Sequence, residues 1–226
     1  MLYKTRGVAL SFIKYRETSI IARIFTELFG MQSYVVNSIR TKNAKTKIAL
    51  FQPLTLLDLV VYHNKKKEIN RISELKSIHS FQSIPFNVRK SSIALFLTEF
   101  LNLALREEEE NEKFFEFILD SIIAFDDLPG DFENFHLQFL LQLSRYMGII
   151  PGSGKSMLEE VGHSKVFDDA FSEKVDFLLR SDYDQPLKIA KSTRHEILKA
   201  ILAYYRFHFD NIKEIKSVQV LREVLS

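Results

Sequence analysis

The hydrophobic period of this chain changes once, near residue 80, and a polypeptide that does so cannot be all-α or all-β. Residues 5–80 alternate with period two and are rich in β-branched and aromatic types, which predicts strands. Val8, Leu10 and Phe12 are expected on one face of a first strand, and Ile20, Ala22 and Ile24 on one face of a second. Leu28-Phe29-Gly30-Met31 reads as a turn, after which Tyr34, Val36 and Ser38 alternate with Val35, Asn37 and Ile39. The 41–52 segment breaks the pattern and reads as a loop or short helix before Pro53. Leu54 to Tyr62 and Ile69 to Ile78 then form a hairpin about residues 63–68. Five strands interrupted between the third and fourth match the outline of an OB-fold barrel, although other small barrels fit nearly as well on pattern alone.

After Pro85 the period is helical. Ile93, Phe96, Leu97, Phe100, Leu101 and Ala104 share a face, and Phe115, Ile118, Leu119 and Ile122 repeat the spacing. Phe132, Phe135, Phe139, Leu143 and Tyr146 follow Pro129-Gly130-Asp131, where Asp131 is a candidate N-cap, and Gly148 and Pro151 end that helix. Residues 149–168 read as a Gly/Ser-rich connection. Ser192 or Thr193 could cap a helix running to about Phe209, and Val218 to Leu225 form a last short one. The expectation is an α+β chain of two domains, an OB-fold barrel over 1–80 and a helical bundle over 81–226.

Charge divides at the same place. The first eighty residues carry fourteen Lys and Arg against five Asp and Glu, or +9; the remainder carry seventeen against twenty-four, or −7, leaving +2 for the chain. A basic unit joined to an acidic one suggests that one end holds a polyanion and the other meets something else. With no cysteine in the chain, disulfides and cysteine-ligated metal sites are excluded, and the composition fits a reducing cytosol. The opening residues lack an apolar signal region, and the greasiest run, Ile93 to Leu105, is broken by Glu99 and too short to span a bilayer. A soluble intracellular protein is expected.

Gly152-Ser153-Gly154-Lys155-Ser156 looks like the end of a phosphate-binding loop, but Ile149 stands where the motif needs Gly, and a helix precedes it where a strand is required. A flexible connection is the better reading. The histidines, at 63, 79, 136, 163, 195 and 208, show no metal-ligand spacing, and no nucleophile elbow is present. Nothing here argues for catalysis, a cofactor or a metal. The Glu107–Glu112 run is explained by a solvated helix junction whose acids favour the following helix N-terminus.

The cations of the first unit are harder to dismiss. Lys14, Arg16 and Arg23 lie at or beside the first two strands; Arg40, Lys42, Lys45 and Lys47 occupy eight residues with no acid among them; Lys65, Lys66 and Lys67 sit at the hairpin turn. Singly, each group fits a solubility or edge-protecting role. Together they predict a basic surface for phosphates, with Tyr15 as a partly exposed stacking residue. The alternative is a scaffold whose basic face meets an acidic protein.

Gly7-Val8-Ala9-Leu10, Tyr15 through Ile21, Phe25-Thr26, Gly30, Arg40 with Lys42, and Leu50 through Asp58 together resemble the bacterial recombination mediator and DNA repair family RecO. Phe135 to Leu143, followed by Gly148 and Pro151, is similar to a helix of that family ending in a Gly-x-x-Pro turn. The resemblance implies binding of single- and double-stranded DNA, strand annealing, and help in loading the RecA recombinase onto strands coated by single-stranded-DNA-binding protein (SSB). It also implies RecR and the acidic, Phe-ended SSB tail as partners, in a cytoplasmic, nucleoid-associated protein. From helix position, Arg145, Arg194, Lys199 and Arg206 are the cations expected to edge a groove for that tail. Two departures stand out: many relatives carry a four-cysteine zinc site that this chain cannot form, and Ser19 and Ser38 replace an acidic residue and a Gly often found there.

Overall fold

The computed structural model describes residues 1–37, 48–105, 111–162 and 169–225. Five strands, β1 (Leu2–Tyr15), β2 (Ser19–Thr26), β3 (Gly30–Val36), β4 (Leu56–Tyr62) and β5 (Ile69–Ser77), close into a barrel in the order β1-β2-β3-β5-β4. Neighbours are antiparallel except β3 and β5, which run parallel. This is the Greek-key order of an OB fold. Closure depends on β1, whose first half pairs with β4 (Leu2↔Tyr62 to Val8↔Leu56) and whose second half pairs with β2 (Gly7↔Thr26 to Tyr15↔Ser19). Gly7, in the overlap, faces inward, where a Cβ would lie 2.7 Å from Ile24 Cγ2 and 3.0 Å from Leu59 Cδ1. Only glycine lets the three strands approach so closely.

Ala9, Ile20, Ala22, Ile24, Tyr34, Leu57, Leu59 and Val61 fill the barrel. The expected Val8-Leu10-Phe12 face is corrected here. A register shift between Ala9 and Ser11 marks a β-bulge, so Ala9 and then Phe12 pack on the interior while Val8 and Leu10 are buried outside it. One extra residue reverses every later side chain, which pure alternation cannot anticipate. In the 41–52 segment, Ala49–Phe51 form one 3-10 turn with Phe51 buried; residues 41–47, with Ser38 and Ile39 of the expected third strand, lie outside the described residues.

Seven α-helices follow among the described residues: α1 (Val88–Ala104), α2 (Glu112–Asp127), α3 (Phe135–Tyr146), α4 (Gly154–Glu160), α5 (Asp169–Arg180), α6 (Lys191–His208) and α7 (Ser217–Val224). The chain forms two compact units, one of residues 1–82 and 94–123, the other of 83–93 and 124–226. The first unit therefore takes in most of α1 and α2 with the barrel. Phe25, on the outside of β2, packs against Phe114 and Phe115 of α2 at ring-centroid distances of 5.7 and 6.0 Å. Arg6 lies 5.4 Å above the Phe115 ring and bridges Glu27 of the barrel and Glu116 of α2, with Nε donating to Glu27 at 2.9 Å. These two carboxylates hold the guanidinium protonated, above its ordinary range. Asn111 caps α2 by accepting from Phe114 N at 3.1 Å, and Glu112 stands in its first turn, while residues 107–110 of the acidic run lie outside the described residues.

In the second unit the ammonium of Lys90, only 1 % exposed, reaches the carbonyls of Phe125, Asp126 and Leu128 at 2.8, 3.0 and 2.6 Å. It closes the C-terminus of α2, whose last carbonyls lack helical partners. Phe125 stacks on Phe135 at 4.3 Å, and Tyr205 of α6 donates to Leu140 O of α3 at 2.7 Å. Three expectations are corrected. Asp131 has a left-handed backbone (φ 52°) and makes no side-chain cap, because a 3-10 turn, Phe132–Asn134, intervenes before α3. Ser192 and Thr193 lie inside α6, which starts at Lys191 after extended Ala190, its first turn closed by Arg194 N donating to Ala190 O. The 149–168 stretch is no mere connection, for residues 154–160 form α4.

Candidate nucleic-acid interface

Alternation places Ile20, Ala22, Tyr34, Asn70 and Val61 inside the barrel, so their neighbours face out. The register aligns Ile13, Ile21, Val35, Arg71 and Tyr62 into one outer row crossing β1, β2, β3, β5 and β4. Ile13 is 65 % and Tyr62 49 % exposed, an unusual display of apolar and aromatic surface for a closed barrel. Arg71, exposed in the middle of the row, is not among the cations expected from sequence. The signal was present, since Asn70 and Ile72 read as inward and Arg71 must then point outward.

A turn stands at each end of β3. Ser19, which opens β2, lies 3.1 Å (Oγ to Oδ1) from Asn37, just past the end of β3, so the β1–β2 turn with Arg16 is at that end. At the start of β3, Phe29 stacks flat on His63 of the β4–β5 turn at 3.8 Å. Seven extended residues separate the turns by about 20 Å. Arg16 adopts a left-handed backbone (φ 51°) and carries its guanidinium 5.2 Å above the Tyr15 ring, which is half-buried. Lys65, Lys66 and Lys67 are all exposed at the other turn. Burial and the neighbouring Lys65 hold His63 below the usual histidine range, so it is neutral near pH 7.

The remaining predicted cations are distributed differently. Lys14 lies opposite Ile20, on the interior side of β1 but exposed where the barrel opens. Arg23 is half-buried beside Ser11, whose hydroxyl donates to Asn102 of α1 at 3.2 Å, so it borders the helices of its unit. Arg40, Lys42, Lys45 and Lys47 lie outside the described residues.

Of the four helical cations, Arg194 lines a small depression, one of about 30 Å³, between α6 and α7. There Lys191, Arg194, His195 and Arg222 surround Leu198 and Leu221. Arg194 also braces the fold, donating to Asn134 Oδ1 at 2.8 Å and Ile189 O at 3.2 Å. Arg222 Nε donates to His195 Nδ1 at 3.1 Å, and burial with this cation lowers the imidazole's proton affinity. Lys199 lies 3.8 Å from Glu196, Arg206 donates to Lys213 O at 3.2 Å, and Arg145 is exposed at the end of α3. Lys199 and Arg206, two turns apart, share one side of α6, about 140° from Arg194. Lys191 and Arg222 are not among the cations expected from sequence, because only the fold brings such distant residues together.

The Gly152–Ser156 segment cannot cradle a phosphate. Ser153 and Ser156 form a reciprocal capping box at the start of α4, and the Gly154 amide donates to Asp176 Oδ1 of α5 at 2.9 Å. The helix end is already occupied by an acid. A Cβ on Gly154 would lie 2.5 Å from Ser172 O, so the glycine is there for α4–α5 packing.

Two family models match the chain: Recombination protein O N terminal over residues 1–81 and Recombination protein O C terminal over residues 85–155. The DNA repair protein RecO of Bacteroides fragilis is 37 % identical over 245 aligned positions covering 99 % of both chains. That of Flavobacterium psychrophilum is 34 % identical over 241 positions covering all of both, and that of Porphyromonas gingivalis 28 % identical over 98 % of both. Among the described residues no helix is long and apolar enough to cross a membrane.

Proposed function

The chain belongs to the recombination protein O family of non-enzymatic mediators of DNA repair and recombination, and on that premise we propose that its barrel binds single- and double-stranded DNA, anneals complementary strands and helps load the recombinase onto SSB-coated single strands. The observation that carries this reading is the outer face of the barrel. Exposed Arg71 and Tyr62, in one row with Ile13, Ile21 and Val35, lie between two cation-bearing turns about 20 Å apart. Phosphates are drawn to Arg16, Arg71 and Lys65–Lys67, with Lys14, Arg23 and the 40–47 cations adding to the field, while Tyr62 and Tyr15 offer ring faces for bases. Such a track takes a strand without reading its sequence, because every base has a π-face and every nucleotide a phosphate.

The helical unit docks protein partners, RecR and the acidic SSB tail. The depression between α6 and α7 supports a site for the tail through its charge, since Lys191 and Arg222 are among its lining residues and would receive carboxylates beside Leu198 and Leu221. A cytoplasmic, nucleoid-associated location accords with these partners.

The test is a titration of labelled single strands at several salt concentrations. With about five phosphates engaged, log K falls against log salt with a slope near about −3.5, or about 0.7 per phosphate. Replacing Arg16, Arg71 and Lys65–Lys67 by Ala should weaken binding to every sequence and flatten the slope. Retention indifferent to salt and to these changes would instead favour a protein-binding scaffold.

A further inference from the structure

The lysine-bearing β4–β5 turn is held by side-chain hydrogen bonds that start inside the barrel. Asn70, 3 % exposed, lies opposite Tyr34 in the parallel β3–β5 pair, a position where an apolar residue would be expected. Its Oδ1 accepts from Asn64 N at 2.9 Å, which fixes the amide's orientation. Its Nδ2 is thereby turned toward Gln32 Oε1 at 3.5 Å and His63 Nδ1 at 3.4 Å, the latter an acceptor in the neutral tautomer that carries its proton on Nε2. Asn64 passes the constraint on. Its Oδ1 accepts from Lys66 N at 2.9 Å and its carbonyl from Lys67 N at 3.0 Å. On the other side, the His63 ring lies within 8° of parallel on Phe29, and Tyr3 meets both rings edge-on.

Three adjacent ammonium groups repel one another, and a loose turn would spread them. Here two of the three lysine backbones are tied through Asn64 to a buried amide. We propose that Asn64 and Asn70 are positioning residues for a phosphate-binding turn, holding Lys65–Lys67 in the arrangement that receives consecutive phosphates of a DNA strand. This role rests on the barrel being the DNA-binding unit. The advantage is entropic: the turn is ordered when the protein folds, so little ordering remains for the moment of binding. An asparagine inside a barrel core is otherwise hard to account for, since an unaided amide there is unfavourable and an aliphatic side chain would pack better.

The experiment is a double-mutant cycle on the full chain with labelled oligothymidylate. Asn64→Ala, at an exposed position without backbone strain, should weaken binding about threefold to tenfold and make the salt slope shallower by about 0.7 for each phosphate no longer engaged. Added to a Lys65→Ala/Lys66→Ala/Lys67→Ala protein, Asn64→Ala should change neither quantity. Asn70→Ala should reproduce the pattern, with thermal melting recorded beside it to show that the barrel persists. Equal weakening in both backgrounds, or none in the native background, would overturn the positioning role. A triple-lysine variant that binds like the native protein would instead overturn the DNA reading of the turn, on which the role depends.

Discussion

Lys90 Nζ lies 2.6 Å from the carbonyl oxygen of Leu128, at the point where α2 ends, and the same ammonium sits 5.4 and 5.2 Å from the ring centroids of Phe125 and Phe132. A cation buried in this way is held by carbonyl dipoles, π-faces and the nearby carboxylate of Asp126. Desolvation is the main influence on it and lowers its proton affinity, with Asp126 and Asp127 opposing. Asp126 is itself engaged, accepting from the Ser83 and Ile84 amides at 2.9 Å each.

Lys90→Met should therefore destabilise the protein by about 3 kcal/mol, because it strands the last carbonyls of α2 and leaves the Asp126 carboxylate without its cation. Urea unfolding monitored by circular dichroism checks this. A decrease below about 0.5 kcal/mol would show that water satisfies the helix end equally well.

Gly154→Ala and Lys155→Ala separate the structural account of the Gly-Lys-Ser segment from a nucleotide-binding one. The first drives a methyl group into Ser172 O and Val175 and should lower stability by about 1–3 kcal/mol. The second alters an exposed side chain and should stay within about 0.5 kcal/mol. Neither should alter retention of ATP on a filter, and a decrease specific to Lys155→Ala would contradict the capped-helix account.

Acid should destabilise the fold from about pH 6.5 downward. Burial, with Arg194 nearby, lowers the His136 imidazole to about 3, and burial lowers His63 and His195 in the same direction. Each group is neutral in the folded state while the unfolded chain takes up protons. The contribution is thus complete above the unfolded value of about 6.5 and disappears as pH falls toward the folded values. His136 alone contributes a slope of about 1.4 kcal/mol per pH unit between pH 6.5 and about 3. Denaturant melts at pH 7.5, 6 and 5 (values chosen to span about that window) should show the decline, and His136→Gln should flatten it.

Arg6→Ala should loosen α2 from the barrel within the first unit. Glu27, whose proton affinity Arg6 lowers, would then face Glu116 without a cation between them. Because the guanidinium is one-third exposed, the expected destabilisation is modest, about 1 kcal/mol. It should grow as pH rises through the carboxylate range and shrink in high salt, both readable from melting curves.

Much of this architecture can be read from residues in order, and the exceptions have identifiable causes. Alternation over 5–80 foretells five strands, and the 3.6 period finds α1, α2, α3 and α6. The bulge beyond Ala9 is invisible because the strand remains apolar on both faces, one turned inward and the other buried outside the barrel. α4 hides behind glycines and serines that resemble a loop, although Ser153 and Ser156 form its cap. α5 had a legible stripe in Phe171, Val175, Leu178 and Leu179, buried as a set. The barrel face was legible in part, through Arg16 and Lys65–Lys67, whereas the α6–α7 depression needed the fold to join Lys191 with Arg222. Asn70 shares its face with Ile72 by alternation, but the sequence gives no sign of what its amide holds, for a buried asparagine differs from an exposed one only in what surrounds it.

Because β1 lends its two halves to different neighbours, the sheet returns to its own starting strand, but the β3–β5 seam that completes the circuit joins only Ser33, Tyr34 and Val35 to Ile69, Asn70 and Arg71 among the described residues. With three aligned pairs this is the shortest of the five ladders, so fluctuations of the backbone should part the barrel there first. The outer row crosses the barrel at that seam, through Val35 and Arg71, where its ladder is thinnest.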